Sequence, residues 1–330
     1  MAVKYDVLGI GNAIMDVIAP VSDSFLTEND IQKSAMTLID ENRALELHKK
    51  LQAASNPQEI AGGSAANTLV GIAGLGVRGA YVGKVANDPL GTRFSTGMTS
   101  AGVDFTTQPL LNQDATARCL IAVTEDGERS MNTFLGASVR FSPRDILKSQ
   151  IQSAGIIYLE GYLFDQDEAK AAFVKASEIA QAAGRKVSLT LSDLFCVDRH
   201  RQSFKHLIKH HVDILFANES ELLSLYETDD FDAAVTALRQ DCKIACVTRS
   251  SKGSIVIEED RVHPIPAIWV DDLIDTTGAG DQYAAGVLSG HVMGMDWAEA
   301  GYLGSVCAAE VIAHYGARPE TCIHQLIVTG

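Results

Sequence analysis

An α/β fold with a mostly parallel sheet is predicted by three observations. Strand-like and helical segments alternate along the chain. The first strand-like segment is a short apolar run, as expected for a strand covered on both faces. Hydrophobic residues make up 46% of the 330-residue chain and aromatic ones only 6%, which suits a core of Ala, Val, Leu and Ile between helices and a sheet.

The elements follow in order. Residues 7–10 form an apolar run among Gly9 and Gly11, a buried first strand. Residues 41–54 set Leu45, Leu47 and Leu51 among charges, a helix. Residues 64–73 are apolar at helical spacing after a glycine pair, and 80–85 are strand-like. Residues 92–101 read as a helix closed by Gly102, 155–159 as a strand, and 167–183 as an Ala-rich helix ending at Gly184. Strands are expected at 187–191, 214–217, 244–248 and 254–257, and helices at 220–226, 231–240, 282–294 and 298–314. Two segments, about 13–38 and 107–136, break the alternation with β-type patterns and turns. Within the second, 117–123 and 129–134 read as strands about a turn at 125–128. There is no internal repeat or long linker, so residues 1–330 read as one α/β domain.

The net charge of −15 argues against nucleic acid and anionic membranes as partners and favours a small ligand. The six cysteines, Cys119, Cys196, Cys242, Cys246, Cys307 and Cys322, lack zinc spacing backed by histidines and read as free thiols of a reducing compartment. Asp6 and Gly9 interrupt any signal-peptide pattern, and no run of about 18 apolar residues spans a membrane, so the cytoplasm is the expected location.

The most informative stretch is Asp275-Thr276-Thr277-Gly278-Ala279-Gly280-Asp281. Small residues where a loop enters a helix let bare N–H groups converge on an anion, and the helix N-terminus adds positive partial charge. Asp281 follows as a carboxylate base. An anion nest beside a base is what phosphoryl transfer to a hydroxyl needs. The bland alternative, a helix start with a tight glycine turn, is disfavoured by Asp275, Thr276 and the small residues after Asp281.

Other motifs share this double reading. Gly62-Gly63-Ser64-Ala65-Ala66-Asn67 reads as a close-approach loop or hinge with a hydroxyl-binding amide, or as a loop capped by Ser64. Asn12 and Asp16 follow the first strand, where ligands gather in parallel sheets; Asp16 suits two vicinal hydroxyls, or is a solvated turn residue. Asn218 and Glu221 sit one helical turn apart, as polar ligands or a cap. Arg129 alone reads as a surface charge. No Gly-x4-Gly-Lys-Ser/Thr loop is present, and a dinucleotide fingerprint fails for want of a third glycine after Gly9 and Gly11.

Residues 275–288 resemble the C-terminal signature of the ribokinase-like, phosphofructokinase B type small-molecule kinases, and the resemblance covers nearly the whole chain. It implies a three-layer sandwich with a small β lid from about 13–38 and 107–136. It implies ATP-dependent phosphorylation with Asp281 as general base and the backbone of Gly278, Ala279 and Gly280 as anion hole. Gly62, Gly63, Ser64 and Asn67 match the family's N-terminal motif, and Asp16 becomes the sugar-hydroxyl ligand. Asn218 and Glu221 are assigned to the water network of Mg²⁺ and phosphate, indirectly. Thr248 and Gly253 match the nucleotide loop, although Ser250 replaces its first glycine. Thr276 and Gly316 are assigned to the nucleotide, while Ser305 replaces an Asn or His often seen upstream of that glycine. A monovalent cation near Asp275 or Gly316 is allowed.

Asn12, the bulky Leu69, Arg129 as a lid arginine aimed at the phosphate, and Phe195 on a strand against a purine resemble the adenosine kinase branch. Met36, Leu135, Tyr162, Leu163 and Phe164 are pocket candidates that read equally as packing residues. The expected substrate is the 5′-hydroxyl of a purine nucleoside, adenosine first, with a ribose or fructose kinase as the runner-up. A non-catalytic nucleotide or sugar binder on the same fold would lack the base or the nest, and both are present. Monomer and homodimer both remain open.

Overall fold

The structure, a computed structural model, describes residues 2–321. Cys322 therefore lies outside the described residues. The chain opens with β1 (Tyr5–Ile10) and turns through Gly11 and Asn12 into β2 (Ile14–Pro20). A short α1 (Asp23–Glu28), β3 (Met36–Leu38), α2 (Glu41–Ala54) and β4 (Gln58–Gly62) follow. Then come α3 (Ser64–Gly74), β5 (Gly79–Val82), α4 (Pro89–Ser100) and β6 (Val103–Phe105). A hairpin of β7 (Ala117–Val123) and β8 (Arg129–Phe134) precedes the short α5 (Lys148–Gln152). Regular alternation then resumes with β9 (Ala154–Glu160), α6 (Asp167–Ala182), β10 (Lys186–Thr190), α7 (Leu194–His211) and β11 (Ile214–Asn218). It continues through α8 (Glu219–Tyr226), α9 (Phe231–Asp241), β12 (Ile244–Thr248), β13 (Ser254–Glu258) and β14 (Arg261–Ile265). The closing helices are α10 (Ala279–Val292) and α11 (Trp297–Val311).

Among the described residues the larger sheet runs β14-β13-β12-β11-β10-β9-β1-β5-β6. It is parallel from β12 to β6, and β13 and β14 join antiparallel at one edge. Its central strands are apolar on both faces because each face is covered. On one side Phe173, Leu207, Leu222 and Leu238 of α6 to α9 pack against it; on the other, Leu69, Phe94, Leu288 and Ala300 of α3, α4, α10 and α11. This is the predicted three-layer arrangement.

A smaller five-stranded sheet has the order β3-β8-β7-β2-β4. Alternation along β2 explains its placement. Met15, Val17 and Ala19 are buried, and Val17 packs with Leu120 against Leu26, Leu47 and Leu51 of α1 and α2. Asp16 points the opposite way, opposite Ile60 of β4 and Cys119 of β7.

Besides short elements such as α1, α5, β6 and β14, three features that bear on the cleft differ from the sequence expectation. β4 completes the small sheet although it lies outside both segments expected to form it. The 18-residue α7 was not expected, and it moves Phe195 from a strand to a first helical turn. There the Asp193 carboxylate accepts the Cys196 N–H at 2.6 Å, capping the helix just after Ser192 adopts a left-handed φ of 73°. Finally α10 starts at Ala279 rather than Gln282, which puts Asp281 inside the helix's first turn.

Candidate active site

The carboxyl ends of five parallel strands open on one cleft of about 1100 Å³. Asn12 beyond β1, Glu160 ending β9, Thr190 ending β10, Asn218 ending β11 and Thr248 ending β12 all line it. The small sheet contributes Asp16, Cys119, Met131 and Thr133 from across the cleft, and the first turn of α10 contributes Gly278, Ala279, Gly280 and Asp281.

Asp281 is held by both ends of the glycine motif at 62–67. Ser64 Oγ donates to its Oδ1 at 2.6 Å and Asn67 Nδ2 to its Oδ2 at 3.3 Å. Ser64 is thus not the helix cap: Gly63, at φ 101°, occupies that position and Ser64 begins α3. Protein crowds Asp281 on every side but the cleft. That burial pushes its carboxyl up to about 7, against the two hydrogen bonds, with the Asp16 charge adding to the rise. A largely buried carboxyl that opens on a cleft and titrates near neutrality has the properties of a general base.

The nest beside it is only partly open. The Ala279 N–H turns back to the Thr276 carbonyl at 3.2 Å. The amides of Gly278, Gly280 and Asp281 have no acceptor among the described residues. Three orphan donors at the head of a 14-residue helix have the geometry that favours an anion.

At the other end, Asp16 lies directly over Gly62; a Cβ there would strike the carboxylate. Burial pushes Asp16 up to about 6, while Arg318 and then Arg129 pull it down. Glu160, 1% exposed, lies below. Its Oε1 accepts from Asn12 N (3.2 Å) and Nδ2 (3.0 Å), and its Oε2 accepts from Ala65 N at 2.8 Å. It ties the β1 turn to the start of α3. Burial pushes its carboxyl up to about 7 against those bonds.

Asn218 and Glu221 cap α8 reciprocally. Glu221 accepts from Asn218 Nδ2 at 2.6 Å and Asn218 N at 3.0 Å, and returns its own N–H to Asn218 Oδ1 at 2.8 Å. Among the described residues no three His, Cys, Asp or Glu gather as a metal cage. Both Glu221 oxygens are taken up by this cap, which leaves them poorly placed as inner ligands of a magnesium ion, and burial pushes the carboxyl up to about 7.

Arg129 does not line the cleft. It reaches from the small sheet to pair with Asp275, whose oxygens also accept from Thr277 N (3.0 Å), Thr277 Oγ1 (2.6 Å) and Gly316 N (3.0 Å). Burial pushes Asp275 up, but the Thr277 and Gly316 hydrogen bonds and the Arg129 charge hold it below the usual carboxylate range. With a guanidinium and three further donors on it, this carboxylate does not fit a monovalent cation.

Thr276 and Leu135 line the cleft, and Met36 (56% exposed) and Phe195 (70% exposed) stand open in it. Other expected residues lie elsewhere. Leu163 and Phe164 are 3% exposed and belong to the core under α6 and α7, because the turn Gly161–Asp165 directs Tyr162 and Asp165 to the cleft and the two residues between them inward. Leu69 is fully buried against Gly9 and Gly79. Gly253 is buried at the turn before β13, and Ser305 is 8% exposed within α11. Gly62 and Gly316 act behind the cleft wall, under Asp16 and on Asp275. The sequence reading missed Glu160, whose one signal is an acid ending an apolar strand, and Arg318, which has none.

Residues 8–322 match the pfkB family carbohydrate kinase profile. The chain belongs to this family. Among solved pfkB-type structures, an adenosine kinase from Sinorhizobium meliloti is 47% identical, with a TM-score of 0.89 over 98% of this chain and 99% of that one. A probable sugar kinase from Rhizobium etli CFN 42 is 44% identical, with a TM-score of 0.90 over 99% and 98%. Adenosine kinase 2 of Arabidopsis thaliana is 27% identical across 87% of this pfkB chain and 88% of its own. The pfkB fold, the large mostly parallel sheet with a smaller sheet beside it, is the one predicted. No helix among the described residues is long and apolar enough to cross a membrane.

Proposed function

We propose that this protein transfers the γ-phosphoryl group of ATP to the 5′-hydroxyl of a purine nucleoside, adenosine first, yielding AMP and ADP. Asp281 takes the hydroxyl proton. The hydroxyl oxygen bonds the γ-phosphorus as the β–γ bridging bond breaks, and that electron pair leaves with ADP. The open amides of Gly278, Gly280 and Asp281 balance the charge that spreads over the transferred group, and Arg129 would add to this only on leaving its pair with Asp275. Asn218 and Glu221 would meet a magnesium ion on the nucleotide through water, and that ion would supply further neutralisation. Asp16 and Asn12 hold the ribose, and the small sheet acts as a lid over it. Buried free thiols fit a cytoplasmic, reducing setting.

One observation carries the choice of a nucleoside over a sugar. The cleft that holds Asp16 is also lined by Ile14, Met36, Leu38 and Leu135, by Tyr162 from the turn after β9 and by Phe195 from the first turn of α7. A free sugar has no apolar face to fill that slot; a purine does. Burying a base there is worth about 2–3 kcal/mol, roughly 30–150-fold. A panel of adenosine, inosine, ribose and fructose should place adenosine above both sugars in kcat/KM by that factor. Equal or better use of a sugar would replace this reading with the sugar-kinase one, which the Rhizobium etli relative supports.

The grip on ribose has its own test. Gly62→Ala pushes a methyl against the Asp16 carboxylate. It should raise the KM for nucleoside by roughly 10–100-fold, as loss of a charged hydrogen bond does, and leave the KM for ATP within about twofold.

A further inference from the structure

Three consecutive residues late in the described chain each bond to a group beside the catalytic loop. Gly316 N donates to Asp275 Oδ2 at 3.0 Å, the Ala317 carbonyl accepts from Gln282 Nε2 at 2.9 Å, and Arg318 Nε donates to Asn67 Oδ1 at 3.2 Å. The first two bonds pin this turn to the start of α10 and so aim the third.

Arg318 is an unusual cation. Its other hydrogen bond goes to Met98 Sδ at 3.7 Å, and among the described residues it forms no ion pair. Burial lowers its guanidinium to about 10, opposed chiefly by the nearby Asp16 carboxylate. A crowded arginine without an ion pair is costly, so its retention asks for a compensating role.

The chemistry of Asn67 supplies one. The two ends of an amide are alike in shape, and which end faces a neighbour is decided by what holds the other. A guanidinium only donates, so the Asn67 end facing Arg318 is Oδ1, and Nδ2 is turned to Asp281 Oδ2. The flipped amide would set its oxygen against a carboxylate oxygen. We propose that Arg318 is a positioning residue for the phosphoryl acceptor: it locks the Asn67 amide with its donor toward Asp281 and fixes a positive charge behind Asp16. This rests on the kinase reading above, in which Asp281 and Asp16 flank the acceptor hydroxyls.

The test is a double-mutant cycle on the full chain with Arg318→Gln, Asn67→Ala and the pair, assayed with adenosine and ATP, alongside Arg318→Lys. Arg318→Gln should lower kcat/KM for adenosine by roughly 10–100-fold, with the KM for ATP within about twofold. The double variant should be no worse than Asn67→Ala alone, because both remove one unit. Arg318→Lys should recover part of the loss. Additive losses, or a fall in melting temperature with kcat/KM unchanged, overturn the inference. Wild-type turnover tests the kinase reading separately. Should the wild type bind adenosine without turnover, calorimetric Kd values of the same four proteins give the coupling, and additivity there overturns it as well.

Discussion

Asp281→Asn is expected to fold as the wild type does and to lose roughly 10²–10⁴-fold in kcat, the usual worth of general-base help. Asparagine keeps the shape and one oxygen for the Ser64 hydroxyl, which now donates at 2.6 Å, and gives up only the longer bond from Asn67 Nδ2, where its own NH2 would stand. What it lacks is a basic oxygen. The pH dependence sharpens the test. Burial raises the Asp281 carboxyl to about 7, so the base is protonated below that pH and free above it. Wild-type kcat should therefore climb through pH 7 and level off, and the residual rate of the variant should lack that rise. Stability should move the other way. A carboxyl whose folded value is raised stabilises the fold fully below its unfolded value and loses that contribution as pH rises through about 7. Relative to wild type, the variant should melt higher at pH 8 than at pH 5. Turnover within a few-fold of wild type would remove Asp281 from the role of base.

The parts of this protein visible in its sequence are those whose determinants are neighbours in the chain. The parallel sheet was legible because strands such as β9 are apolar on both faces. The anion nest was legible because Gly278, Ala279, Gly280 and Asp281 are contiguous. Helix α7 was not. Its buried stripe of Val197, Phe204, Leu207 and Ile208 is diluted by Arg, His and Lys, and the left-handed Ser192 that separates it from β10 leaves no pattern. Glu160 and Arg318 were invisible for a different reason. Each acts on a partner far away in sequence, Asn12 at 148 residues' separation and Asn67 at 251. Only the packing of β9 against β1, and of the 316–318 turn against α10, brings them together. Leu163 and Phe164 were misplaced by a smaller error, since the tight turn at 161–165 sends them to the core while Tyr162 and Asp165, one turn apart, face the cleft.

Gly278→Ala is expected to lower kcat by roughly 10²–10³-fold, as removal of oxyanion-type donors does, and to lower the melting temperature. Two physical effects coincide at this residue. Its φ of 81° is left-handed, which costs a residue with a Cβ about 1–2 kcal/mol. The added methyl would also lie 2.6 Å from Ala317 Cα and 2.7 Å from Ala317 O, backbone that cannot rotate aside. Relief requires moving either the nest amides or the turn that carries Gly316 and Arg318. Both holds on the catalytic end would then slip together. Gly280→Ala is the control. Its methyl would meet nothing within 4 Å, so the fold should tolerate it with a stability change within about 0.5 kcal/mol. Wild-type melting and turnover in Gly278→Ala would mean that the anion site does not depend on this left-handed glycine. A stability loss confined to Gly278→Ala, with kcat falling in step, would show that the helix start and the 316–318 turn are built as one unit.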